Sequence, residues 1–254
     1  MSTDGALRFA RYAYPPNSLG YCGPADHRAL LEYAAAGVAD GGLADLARRF
    51  DGAWPYLELI AGASGLHDPL DARVVEAYWV GGRLLERVNT ATFGNALTER
   101  FRARAGRSFE RLAETVPPGA LPHHSFHVFG VYPWVGLLRL GPVEQPLRVL
   151  DRCRIRWGEV LRVDRELVTV RSRPLVWDGR ALRLGEPTVE QAAGTAGGLA
   201  LAGGLHPGDR VALHWDWVCE RLTARQLAAL RHYTMRHLEI VNRVPHPGPA
   251  AVLS

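Results

Sequence analysis

Near residue 150 the hydrophobic period of the chain changes, and that change limits the fold more than any other feature. Before it, apolar residues recur at helical spacing: Leu30, Leu31 and Ala34; then Trp54, Leu57, Ile60 and Ala61; then Leu70, Val74, Ala77 and Tyr78. After it the period is two. Leu161 and Val163 point one way and Arg162 and Asp164 the other, and Leu167-Val168-Thr169-Val170 is rich in strand formers. Asp178-Gly179 is a hairpin-turn signal. Helices first and strands later predict an α+β fold: an α-helical N-terminal domain over 1–145, then a small β-barrel with a C-terminal helix over 150–244. Thr223-x-x-Gln226 reads as the capping box that opens the last helix. Pro245, Pro247 and Pro249 end it, and 245–254 is expected to be a disordered tail.

Punctuation by proline and glycine sets the finer expectations. Tyr12 to Pro24 holds three prolines, three tyrosines and two glycines, which predicts an ordered, packed loop. Asp68-Pro69 predicts a helix start, with aspartate as the cap. Asn89-Thr90 predicts a helix through Phe93, Leu97 and Phe101, ending in solvated arginines 100–107, with a further short helix over 108–116. The aromatic stretch 121–138 reads as a buried helix kinked near Pro133, and Gly141-Pro142 and Pro146 as a turn that marks the domain boundary near 142–150.

Composition narrows the class. The chain has 254 residues, 47% of them hydrophobic, enough for a substantial core. No run of about eighteen apolar residues exists, so no membrane span is expected, and the start lacks a secretory pattern, which makes a cytoplasmic protein the expectation. Three cysteines, Cys22, Cys153 and Cys219, do not make a disulfide framework. Every one of the 30 basic residues is arginine, which excludes a Schiff-base or P-loop lysine. Residues 1–150 carry 15 arginines against 15 acids; the remainder carries 15 against 11. Arg152-x-Arg154-x-Arg156 alternates, so a strand would place three guanidinium groups on one face, either solvated or docking an acidic protein. No nucleic-acid motif accompanies the charge.

Two sets of residues could ligate a metal. Cys153 and His214 offer a thiol and an imidazole, natural ligands for iron, zinc or copper(I), from what read as neighbouring strands. His123, His124 and His127 offer helical spacings of four and three, with Cys22 as a possible addition. Each residue also has a bland reading, as a small buried cysteine or a hydrogen-bonded core histidine. Asp216 and Glu220 could serve as acid and base if buried together.

The ordered set Cys153-x-Ile155-x-x-Gly158-x-Val160, then Gly208-Asp209-x-Val211-x-x-His214, then the terminal helix resembles the HypC-type chaperones of [NiFe]-hydrogenase maturation. Two departures stand out: Cys153 is internal where the family's cysteine is N-terminal, and Trp157 takes the place of a proline. The N-terminal part resembles an uncharacterised bacterial family. The chaperone resemblance implies a metallocofactor assembly factor that handles iron carrying cyanide and carbon monoxide through Cys153 and His214. Its implied partner is a metalloenzyme subunit or another maturation protein. The alternative from another class is a metal-dependent enzyme with its pocket in the helical domain, lined by Tyr14, Cys22, His123, His124 and His127; whether any reaction is catalysed stays open.

Overall fold

The computed structural model describes residues 3–96, 116–132, 134–139 and 141–243. The arginines 100–107, the helix expected over 108–116 apart from Val116, the kink at 133 and the tail 245–254 lie outside the described residues.

The expected loop at the start is instead a helix, α1 (Thr3–Ser18), which carries Pro15 and Pro16 in its last turn. Ala6, Phe9, Ala10 and Ala13 form an i, i+3, i+4, i+7 stripe and are fully buried, with Tyr12 beside them. Burying one large side chain is worth about 1.5–3 kcal/mol, and an interior proline costs about 3. Two prolines at the very end of so apolar a helix are therefore outweighed. Helix α1 is central: it packs on α2 (His27–Ala36), α3 (Gly41–Arg48) and α5 (Ala72–Trp79), while α4 (Trp54–Ala63) packs on α5. Asp71, rather than Asp68, caps α5, accepting from the Arg73 N–H. A 3₁₀ turn, Arg83–Arg87, and a helix over 90–96 follow.

The aromatic stretch is not one kinked helix. It comprises a short turn α6 (His124–Phe126) that runs into a π-helical turn (His127–Val131), then α7 (Trp134–Leu138) and α8 (Glu144–Cys153). The segment read as a turn around Pro146 is helix because a proline in the first turn forfeits no helical hydrogen bond. Cys153 is thus the last residue of α8, not the head of a strand.

The strands are β1 (Arg156–Asp164), β2 (Leu167–Ser172), β3 (Leu175–Trp177), β4 (Leu182–Leu184), β5 (Thr188–Ala193), β6 (Thr195–Ala196), β7 (Leu199–Ala200), β8 (Arg210–His214) and β9 (Trp217–Arg221). Five of them pair in the order β1-β2-β5-β9-β8, and β8 pairs back to β1, so the sheet closes on itself. Gly158 is required in β1: a Cβ there would stand 2.2 Å from Val170 Cγ1 and 3.0 Å from the Arg171 carbonyl. Val160, Val168, Val170, Ala192, Val211, Leu213 and Val218 fill the ring. Helix α9 (Ala224–Arg243) closes the described chain, and its capping box forms as the sequence predicts.

All the strands among the described residues follow residue 155, as the change of period requires. One buried cluster nevertheless crosses the expected domain boundary, from Ala6 and Leu30 to Ala212, Cys219 and Tyr233. Strand alternation explains it: Val211 and Leu213 point into the ring, so Ala212 and His214 point out of it, against the helices. Arg152, Arg154 and Arg156 share no solvated face. Arg154 and Arg156 are buried, and Arg156 lies with Arg152 on Glu190. No described helix is long and apolar enough to cross a membrane.

Candidate metal centre

His124, Cys153 and His214 each offer one ligand atom, and the three atoms lie within 4.8 Å of one another. They come from α6, from the end of α8 and from the end of β8, so no stretch of sequence displays the set. Ligands around a four-coordinate ion at Zn–N and Zn–S distances stand about 3.5 Å apart, so small side-chain rotations suffice to close on a metal. The two histidines are buried and Cys153 is half-buried.

The last turn of α8 holds the site together. The carbonyl of Cys153, an orphan at the helix end, accepts from His124 Nε2 at 2.8 Å. The preceding carbonyl, that of Arg152, accepts from the Trp215 N–H at 2.8 Å. Trp215 sits in the left-handed region at φ +51°, a conformation that costs a residue of its size about 1 kcal/mol or more. It is clamped there: its carbonyl accepts from Arg156 Nη2 at 2.7 Å, and its indole stacks on Tyr21 at 4.3 Å. Because α8 ends at the three donors, the negative end of its dipole faces them, which favours a cation.

His214 has a defined tautomer. Its Nδ1 stands 2.6 Å from the carbonyl of Tyr12, which can only accept, so Nδ1 carries the proton and Nε2 keeps its lone pair. That Nε2 is buried with no hydrogen-bond partner, as is Nε1 of Trp215. An unsatisfied buried acceptor costs about 1–3 kcal/mol, and a metal ion is the kind of ligand that would relieve it. Burial holds the imidazoles neutral. His124 is pushed down to about 4 and His214 well below its ordinary value, so both are competent ligands across the physiological range. Burial pushes the Cys153 thiol up, so metal uptake would release its proton.

The three donors open onto a pocket of about 250 Å³ between the helices and the ring. Its walls are mostly apolar and aromatic, among them Phe50, Trp79, Val128, Tyr132, Trp134 and Trp215. Cys22 and His127 line the same pocket outside the trio, Cys22 with its thiol pushed up to about 12 by burial. His127 hydrogen-bonds the Tyr56 hydroxyl at 3.0 Å through Nδ1, and burial lowers it to about 3. All the candidates but His123, expected in separate domains, thus meet in one pocket.

His123 lies apart. It caps α6 in an extended conformation (φ −112°, ψ 147°), so the i, i+4 geometry expected with His127 does not arise. Its Nδ1 accepts from the Ser125 N–H at 3.1 Å and meets Ser125 Oγ at 2.7 Å, and Oγ in turn meets His237 Nδ1 at 2.7 Å. Tyr14 packs edge-on to Trp217 at 5.1 Å, away from the trio. Asp216 and Glu220 do not work as a pair: Asp216 is exposed and bound to Arg152, whereas Glu220 is held by Arg8 at 2.8 Å. His124 was in view from the sequence only as one of three neighbours; its pairing with Cys153 and His214 depends on how α6 docks against the end of α8.

No curated protein and no solved structure matches the chain. Residues 1–247 match the model of a family of unknown function, DUF6390, which spans both the helical part and the closed sheet, and the chain therefore belongs to that family.

Proposed function

We propose that the chain binds a transition-metal ion through His124, Cys153 and His214 and acts as a metallocofactor assembly or maturation factor. The observation that carries this reading is the convergence of one thiol and two neutral imidazoles, with an orphan lone pair among them, at the floor of an apolar pocket. Thiolate with imidazole selects iron, zinc or copper over magnesium or calcium. Three protein donors leave a position free, which suits an ion that must arrive, carry other ligands and leave.

In line with the sequence resemblance, the cargo is iron carrying cyanide and carbon monoxide, held between the helices and the outer face of a small β-barrel of the chaperone type. The recipient is a [NiFe]-hydrogenase subunit or another maturation protein. The resemblance offers Cys153 and His214; His124 joins them from the helical part. After anaerobic purification, elemental analysis should find about one metal per chain, and bound cyanide or carbon monoxide should give infrared bands. Cys153→Ser, His124→Ala and His214→Ala should each weaken metal binding about a hundredfold while circular dichroism keeps the native signal. Stoichiometric metal in all three variants would sink the reading.

A second reading, a metal-dependent enzyme, draws on the enclosure of the pocket and on Tyr78, His127 and Tyr132 in its walls, which could orient a small substrate. Its pocket would then span both parts of the chain. Loss of metal to a recipient protein speaks for the carrier; metal kept through repeated turnover of a small molecule speaks for the enzyme.

A further inference from the structure

We propose that Pro16 is a positioning residue for the metal centre: by withholding a helical N–H from the Tyr12 carbonyl, it reserves that carbonyl for His214 Nδ1–H and so fixes the His214 Nε2 lone pair toward Cys153 and His124. The inference rests on the metal reading above and concerns how that site is set.

Within α1 the carbonyl of Tyr12 has two regular donors, the N–H of residue 16 in α geometry and that of residue 15 in 3₁₀ geometry. Both residues are proline, and proline has no N–H. The carbonyl is left with its acceptor capacity open, in a helix whose Tyr12 is fully buried. His214 occupies it at 2.6 Å, from a residue 202 positions away. The other ring nitrogen, Nε2, is buried without a hydrogen-bond partner, and with Nδ1 held by Tyr12 it is the nitrogen left to serve the three-donor set. A histidine ligand whose far nitrogen donates to a carbonyl is held in one tautomer and one ring orientation, and loss of such a partner commonly lowers metal affinity 10- to 100-fold. The double proline, otherwise unfavourable in a helix, thereby acquires a role. It couples the helical part to the β8–β9 turn that carries His214 and Trp215.

The experiment uses the full chain and cobalt(II) as the probe, read by its visible spectrum, with ¹⁵N NMR of the histidine rings as a second measurement. In the wild type the NMR pattern of His214 should be that of the Nδ1–H tautomer before metal is added. Pro16→Ala restores the N–H, which competes for Tyr12, so cobalt affinity should fall about tenfold and the ring should become a tautomer mixture. Pro16→Val restores the N–H while keeping bulk in the pocket wall, and should behave likewise. Pro15→Ala leaves residue 16 without a donor, and its own N–H goes in α geometry to the Arg11 carbonyl rather than to Tyr12, so this variant should bind cobalt within about twofold of wild type. Melting temperature should not fall in Pro16→Ala, since alanine is the better helix former. Stability and affinity moving in opposite directions is an outcome that a merely structural role for Pro16 does not give. Cobalt affinity and tautomer unchanged in both Pro16 variants, or an Nε2–H tautomer in the wild type, would overturn the inference and leave the metal reading standing. Failure of the wild type to bind cobalt at all would overturn both.

Discussion

Arg156 shows at the residue scale how far a local pattern can mislead. In the sequence it is one of three alternating arginines and looks like part of a charged surface. In the fold it is fully buried, hydrogen-bonded to the Trp215 carbonyl at 2.7 Å and paired with Glu190 at 3.2 Å. Burial pulls its pKa down to about 10, against the pull of Glu190 in the other direction. Glu190 also accepts from Arg152 at 2.6 Å and from Ser172 Oγ. Removing one partner of a buried pair leaves a charge without compensation and costs about 3–5 kcal/mol. Glu190→Ala should therefore lower the unfolding free energy by about that much in urea titrations. A loss below about 1 kcal/mol would mean that the pair is solvated and that Trp215 is not held through Arg156.

Among the elements, α9 was the most legible and α1 the least. Thr223-x-x-Gln226 predicts a reciprocal cap, and the fold has it: Thr223 N–H to Gln226 Oε1 at 3.0 Å, and Gln226 N–H to Thr223 Oγ1 at 3.2 Å. Thr223→Ala should cost about 1 kcal/mol, the usual value of a cap. Gln226→Ala should cost more, because the same side chain donates to Glu76 at 2.8 Å and to Glu220 at 3.3 Å, tying α9 to α5 and β9. Equal losses in chemical denaturation would show that those cross-links add nothing. Caps are visible in sequence because both partners lie within one turn. The helix over Thr3–Ser18 was hidden because prolines signal a break locally, whereas the stripe Ala6, Phe9, Ala10 and Ala13 is stabilised only by elements far along the chain.

For the whole molecule the notable quantity is the number of buried neutral histidines. His123, His124, His127, His214 and His237 are all buried, and desolvation is the first cause of the depression in each. A histidine held below its ordinary value of about 6.5 takes up a proton more readily in the unfolded chain. Stability is therefore complete above about pH 6.5 and falls as the pH drops toward about 4 for His124 and about 3 for His127 and His237. Each group contributes about 1.4 kcal/mol per pH unit in that window, and domain stability is about 5–15 kcal/mol. Five acting together should unfold the protein near pH 5 in a steep, multi-proton transition. A melting temperature that stays level from pH 7 to pH 5 would contradict this. Saturating metal should shift the transition to lower pH, since ligated His124 and His214 no longer accept protons.

The sequence by itself determined the order of secondary structure and the α+β class, because the periods of helix and strand are written in neighbouring residues. It also determined the capping of α9, the hairpin at Asp178-Gly179 and the chemical types of the ligands: one thiol and several imidazoles. Only the tertiary structure decided which imidazoles meet the thiol. Cys153 and His214 do come together, but outside the ring and against the helices, because strand alternation sends Leu213 inward and His214 outward. His124 enters because the end of α8 needs a donor for its last carbonyls, and His123 leaves because it serves as a helix cap. Proximity across 29 to 90 residues is set by the packing of whole elements, and a local pattern carries no record of it.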